Sequence, residues 1–234
     1  MSAVSIRVHK SKMDEEQVVV KPAAESTDWC HLDWPALEGL SADCGFFQGL
    51  SEFSGAFLRG GATQLALRLT AAIHRAQADA WCAWFSPYGV LHAPGAAQAG
   101  VDLRRFIVVH SPDDLLAKWV LKTTARGLFD GLIVDAQSAL NSQPELAPAQ
   151  RLDAYWLKRL ALASEKSRTR VVLLTDSAQD QTGAWPVDQK LKCQQHEPDA
   201  FMVEVTKSRR GTVSPPRRIK LVSGHTRWKG GDFP

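Results

Sequence analysis

Gly131-Leu132-Ile133-Val134-Asp135-Ala136 and Arg170-Val171-Val172-Leu173-Leu174-Thr175-Asp176 decide the fold class. Each run is short and apolar at successive positions, and each reaches an aspartate. A strand that is apolar at both odd and even positions is buried on both faces. That is the habit of parallel sheets covered by helices. Working outward, Trp81 to Ser86 (WCAWFS) and Phe106 to His110 (FIVVH) read as two more such strands, and Leu50 to Ser54 as a further one. Helical stretches lie between them. Residues 62–77 place Leu65, Leu69, Ala72 and Ile73 on one face, and residues 146–167 carry Leu152, Trp156, Leu160 and Ala163 at helical spacing. Ser111-Pro112-Asp113-Asp114 predicts a helix start, with Ser111 as cap, Pro112 in the first turn and two aspartates at the positive end. That helix is expected to bury Leu115, Leu116, Trp119 and Val120 and to stop at Gly127. The predicted class is α/β, a mostly parallel central sheet flanked by helices.

The remaining segments set the domain plan. Residues 1–27 are polar and without period, and read as a mobile N-terminal arm. Residues 28–222 form the domain, and residues 223–234 a basic C-terminal tail. Residues 177–199 read as one long polar loop of the kind that carries function. Residues 200–208 and 217–222 read as strands, joined by a hairpin turn containing Arg209-Arg210-Gly211 and Ser214-Pro215-Pro216.

Composition narrows the class of function. The chain has 234 residues, 44% of them apolar and 23% charged, which suits a globular domain with a sizeable core. No apolar run approaches the ~20 residues of a membrane span, and residues 1–17 hold no secretory h-region. No membrane partner is expected. Four cysteines, irregularly spaced, argue against a disulfide scaffold and for a reducing cytoplasm. The net charge of +3 conceals an asymmetry. Residues 201–234 hold eight Lys/Arg and two acids, whereas the first 200 residues hold 20 basic and 23 acidic side chains. A basic segment of this kind favours an acidic partner, nucleic acid or protein, or is simply a solvated arm.

The first chemistry to test is phosphate binding at the turn between strand and helix. A phosphate loop reads G-x-x-x-x-G-K-[ST]. Here Gly55 and Gly60 have that spacing, but Gly61 stands at the lysine position and Ala62 at the hydroxyl position. The lysine meets the β- and γ-phosphates, and the hydroxyl holds Mg²⁺. Without them only backbone N–H groups and a helix dipole remain. The loop is a degenerate phosphate-binding loop, or a tight turn and nothing more. Asp135 ends its apolar strand where a Walker B aspartate would sit; its other reading is a strand-end residue bonding the next turn.

Together these pieces resemble the core of RecA-type recombinases, from about Gly45 to Val222. The landmarks are GFFQGLSEFSG before the loop, WCAWFS, AGVDLRRFIVVHSPD, IVDAQSAL around Asp135, VVLLTD before the long loop, and FMVEVTKSRRG after it. The resemblance implies a RecA-like fold. The departures imply a lost activity: the family's catalytic glutamate follows the second strand, and Phe85-Ser86-Pro87-Tyr88-Gly89 holds no acid there. Asp135 alone cannot run phosphoryl transfer. No enzymatic activity and no cofactor are therefore expected. Among degenerate relatives, the chain most resembles the ImuA family of translesion-synthesis accessory proteins, with SulA, an SOS inhibitor of cell division, as neighbour. The resemblance implies an adaptor in SOS mutagenesis. Its partners would be ImuB, an inactive Y-family polymerase relative, then RecA and an error-prone DNA polymerase. The alternatives are a division inhibitor of SulA type and a DNA-dependent ATPase with an unusual phosphate loop.

Candidate contacts follow from charge and aromaticity. Arg209, Arg210, Arg217, Arg218, Lys220, Arg227 and Lys229, with Trp228, are candidates for phosphate or partner contact. Trp185 could stack on single-stranded bases, although Asp180, Asp188, Glu197 and Asp199 offset Lys190 and Lys192 in the same loop. Cys193-x-x-His196 lacks the paired spacing of a zinc site, and no metal is expected.

Overall fold

The computed structural model describes residues 49–56, 61–87, 91–136, 154–176, 186–197, 200–209 and 213–220. The expected arm at 1–27 and tail at 223–234 lie outside them. The described strands are β1 (Gly49–Gly55), β2 (Cys82–Ser86), β3 (Phe106–His110), β4 (Gly131–Asp135), β5 (Arg170–Asp176), β6 (Gln189–Glu197), β7 (Ala200–Ser208) and β8 (Ser214–Lys220). The helices are α1 (Gly61–Ala76), α2 (Ala93–Gln98), α3 (Asp113–Ala125) and α4 (Ala154–Ser167), with a 3₁₀ turn at Leu103–Arg105.

The strands make one sheet in the order β3-β2-β4-β5-β1-β6-β7-β8. From β3 to β6 every pairing is parallel, and β7 and β8 add on antiparallel. The fold is α/β, with a mixed, mostly parallel sheet. Its two faces bury separate cores. Phe53, Trp84, Ile133, Leu174, Leu191 and Phe201 pack with α1 on one face. Leu50, Phe85, Leu132 and Leu173 pack on the other against Leu116 and Val120 of α3 and Leu157 and Leu160 of α4. Each such side chain contributes roughly 1.5–3 kcal/mol on burial, which is why runs apolar at every position became the inner strands.

Several expectations change. Gln189–Glu197 is a strand, not part of a loop. Its polar composition hid a period-two pattern: Leu191 and Cys193 are buried towards α1, with Lys192 and Gln194 exposed between and beyond them. Ser111 does not cap α3. Its N–H donates to the Ser86 carbonyl at 3.2 Å and extends the β2–β3 ladder, leaving Pro112 at the cap position without a side-chain bond. Leu116 and Val120 are buried as expected, but Leu115 and Trp119 are 38% and 37% exposed. Gly127 does end the helix, at φ +59° with its N–H on the Thr124 carbonyl. Ser214, Pro215 and Pro216 belong to β8 rather than to the turn. Proline is tolerated there because β8 is an edge strand. Of the helix expected at 146–167, residues 146–153 lie outside the described residues.

One polar cluster ties the end of α1 to the start of β3. His74 is buried in α1, and its Nδ1 accepts the Asp102 N–H at 3.2 Å. The Asp102 carboxylate pairs with Arg104 at 3.1 Å and Arg105 at 3.0 Å. Arg105 also donates to the carbonyls of Gln77, Ala78 and His74. Hydrogen bonds from Arg104 hold the Asp102 carboxyl far below the usual carboxylate range. Burial, and then the Arg105 charge, push the His74 imidazole below its ordinary 6.5. A depressed folded pKa means that the unfolded chain binds the extra proton first. The contribution of His74 is therefore complete above about pH 6.5 and is lost as pH falls through the folded value. Urea midpoints measured from pH 7.5 down to pH 5 should fall for the wild type. The fall should be shallower for His74→Asn, whose amide oxygen can accept the same N–H.

Candidate functional site

In open α/β sheets, ligands bind beyond the carboxyl ends of the parallel strands. Here that edge brings together Gly55, Ser86, His110, Asp135 and Asp176, the last residues of β1 to β5. Gly55 lies in register with Asp176 on one side and Cys193 on the other. Asp135 is half-buried and in register with Leu174. Only β5 separates β4 from β1, and Asp135 lies level with Phe53, so the Gly55 and Asp135 backbones sit about 12 Å apart at ~4.8 Å per strand and ~3.3 Å per residue. The topology thus places the ends of β1 and of the Asp135 strand one strand apart on the same edge.

Around the start of α1 the packing is apolar. Gly61 and Ala62 open α1 and are both buried. A Cβ on Gly61 would lie 3.2 Å from the Phe201 ring and 3.3 Å from Cys193 Cβ. A Cβ on Gly55 would lie 3.2 Å from both Ala62 Cβ and the Cys193 carbonyl oxygen. The glycines flanking the loop are there because β1, α1, β6 and β7 approach closely. A lysine at position 61 would begin its course against Phe201 and Cys193. Arg59 and Gly60 lie outside the described residues. After β2, Ser86 and Pro87 are buried, and no acid stands between Cys82 and Pro87.

Sequence reasoning missed a buried ion pair within the sheet. Glu52 is 0% exposed in the middle of β1. Thr175 Oγ1 donates to its Oε1 at 2.8 Å, and Lys190 Nζ lies 3.5 Å from the same oxygen. Glu52 and Lys190 are register partners on β1 and β6, and Thr175 comes from β5. An acid at the centre of an otherwise apolar strand was the available signal. Its partners lie more than 120 residues away and could not be read locally.

The basic candidates are partly engaged within the chain. Arg209 bridges Glu165 and Asp188, whose hydrogen bonds raise its pKa further. Asp188 also caps the Leu50 N–H at 3.1 Å. It crowds Gly49, which sits at φ +129°. Arg218 pairs with Glu197. Arg217, Arg218 and Lys220 are exposed on β8. Arg210, Arg227, Trp228, Lys229 and Trp185 lie outside the described residues. Cys193 and His196 cannot share a metal in this strand. Cys193 faces the core, where burial pushes its thiol up to about 12, and His196 is exposed three residues further along the strand. Among the described residues no cluster of His, Cys, Asp and Glu could hold a metal ion, and no helix is long and apolar enough to cross a membrane.

No family model and no curated protein matches the chain.

Two outcomes follow from this geometry. Gly61→Lys should restore no nucleotide affinity and should destabilise by ~1–3 kcal/mol through overpacking against Phe201, measured by denaturant titration alongside fluorescent-nucleotide binding. Lys190→Met leaves Glu52 buried without its cation and should cost ~3–5 kcal/mol. Adding Glu52→Gln should recover a large part of that loss in a double-mutant cycle.

Proposed function

We propose that the chain is a non-catalytic RecA-like adaptor in SOS-induced mutagenesis. In this reading it is a member of the ImuA family that joins an ImuB-like inactive Y-family polymerase to RecA in translesion DNA synthesis. The observation that carries the reading is the packing at Gly61 and Ala62. At the position of the phosphate-binding cation, Gly61 lies close against Cys193 of β6 and Phe201 of β7, and at the position of the magnesium hydroxyl Ala62 is buried beside Gly55 of β1. The surrounding architecture is compatible with a RecA-like arrangement. The interior strand β1 precedes a long helix in the chain, an aspartate ends a strand two places away, and an antiparallel pair extends the sheet.

In this reading the chain keeps its two buried cores, lacks the phosphate-binding lysine and hydroxyl, and works through its surface. The exposed cations of β8 offer part of such a surface. Ion pairing would strengthen docking at low salt and fade as salt screens it.

The test is co-purification of the full chain with its cognate RecA, the inactive Y-family relative and the tubulin-like division protein, at low and moderate salt. Capture of RecA or the polymerase relative is expected, weakening as salt rises. Capture of the division protein alone would overturn the reading in favour of a division inhibitor. ATP turnover abolished by Asp135→Ala would overturn the non-catalytic half of it.

A further inference from the structure

The two edges of the sheet are built in opposite ways. Edge strands expose a row of unpaired N–H and C=O groups, and proteins guard them with proline and charge. β8 carries Pro215, Pro216, Arg217, Arg218 and Lys220 in seven residues. β3, the other edge, is Phe-Ile-Val-Val-His, without proline or formal charge. No described strand pairs with its outer side, and Ile107 and Val108 are 38% and 43% exposed. The Ser111 N–H points at Ser86 of β2, so by the two-residue period Ile107 and Val109 also face β2. The backbone groups of Phe106, Val108 and His110 therefore point outwards.

Two exposed apolar side chains of α3 stand beside the same edge. α3 packs on β2 and, along its other flank, on α4, which lies over β1. Trp156 of α4 donates to the Ala117 carbonyl and marks that flank. Leu115 and Trp119 stand on the opposite flank of α3, the side of β3. On that sheet face they join Ile107 and the half-buried Val109.

From these features we infer that the β3 edge is a homodimer seam, in which β3 pairs antiparallel with β3 of a second copy about a two-fold axis through Val108. The geometry is self-consistent in three respects. The outward residues match one another: Val108 faces Val108 of the other copy, and Phe106 faces its His110, so all outward N–H and C=O groups bond. A two-fold axis normal to the sheet keeps both copies of α3 on one face, which turns their Leu115 and Trp119 flanks towards each other across the seam. The charges are complementary. Arg104 and Arg105, with Asp102, precede β3, while Asp113 and Asp114 open α3 just past its other end. Antiparallel pairing sets the net-positive end of one copy beside the acidic end of the other. Parallel pairing would set like beside like. A second copy is thus the occupant that this edge fits.

Analytical ultracentrifugation of the full chain over a concentration series should give the mass of two chains. Val108→Pro removes an outward N–H without touching the β2 ladder. It should halve that mass while the melting transition stays in place. Val108→Cys should crosslink to a covalent dimer on oxidation, because directly opposed residues in this register lie about 5.5 Å apart at Cα, within disulfide reach. The wild type under the same oxidant should not. A wild type that stays at one chain's mass overturns the seam. So does a dimer that ignores Val108→Pro and does not crosslink through Val108→Cys. Should Val108→Pro fail to fold, the crosslink decides alone.

Discussion

A carboxylate buried in the middle of β1 constrains the order of the sheet around it. Glu52 has no access to water, and an isolated ionised carboxylate there would cost far more than a domain's whole stability margin. It is tolerated because β5 supplies a hydroxyl and β6 an ammonium to the same oxygen. Three strands distant in sequence are therefore bound to one arrangement. β6 has to lie beside β1, in parallel, at the register that sets Lys190 opposite Glu52. The antiparallel pair β7 and β8 then hangs on β6, and Phe201 arrives over Gly61. Replacing such a pair by apolar residues often costs little, whereas breaking it costs much. Its weight is thus in specifying the arrangement more than in adding net stability.

The fold was legible where burial is two-sided and obscure where polar residues go inside. FIVVH, RVVLLTD and AFMVEVTKS became strands at their expected bounds, and GLIVD one residue short of them, because runs of branched side chains have few other ways to leave water. QKLKCQQHE did not announce itself. Four of its nine positions are buried, but two of those are Gln189 and Lys190, whose burial depends on distant partners. Leu115 and Trp119 misled in the opposite sense. The apolar stripe of α3 is wider than its buried one, and a single helix cannot tell which part of a wide stripe meets the core.

The loop shows how a site can be read correctly as incomplete and still be misjudged in kind. From residues alone, Gly61 and Ala62 are omissions, a missing cation and a missing hydroxyl. In the folded chain they are contacts. A side chain at position 61 would meet Phe201 and Cys193 at once, and one at position 55 would meet Ala62. An omission could be reversed by one substitution. A contact cannot, because the space for the side chain is already occupied at the density of a protein interior. The difference lies in β6 and β7, read from the sequence as a loop and a strand, which come to lie against Gly61 at the start of α1.

The cations of residues 201–220 have structural work of their own, and this bears on how a basic segment should be weighed. Arg209 holds Glu165 of α4 and Asp188 before β6, so it joins the helical layer to the sheet. Arg218 holds Glu197 across the β6–β7–β8 extension. Arg217, Arg218 and Lys220 also guard the β8 edge against stray pairing, as its two prolines do. A partner that docks here by charge has to compete with these internal acids. Exposed pairs are worth little, ~0–1 kcal/mol each, so the competition is one that a multivalent acidic surface can win and a single carboxylate cannot. Charge alone therefore selects for a dense array of negative groups, phosphates or a strongly acidic protein face, whereas the opposite edge of the same sheet offers neutral backbone and apolar side chains. One molecule presents two faces to its surroundings, and their chemistries do not overlap.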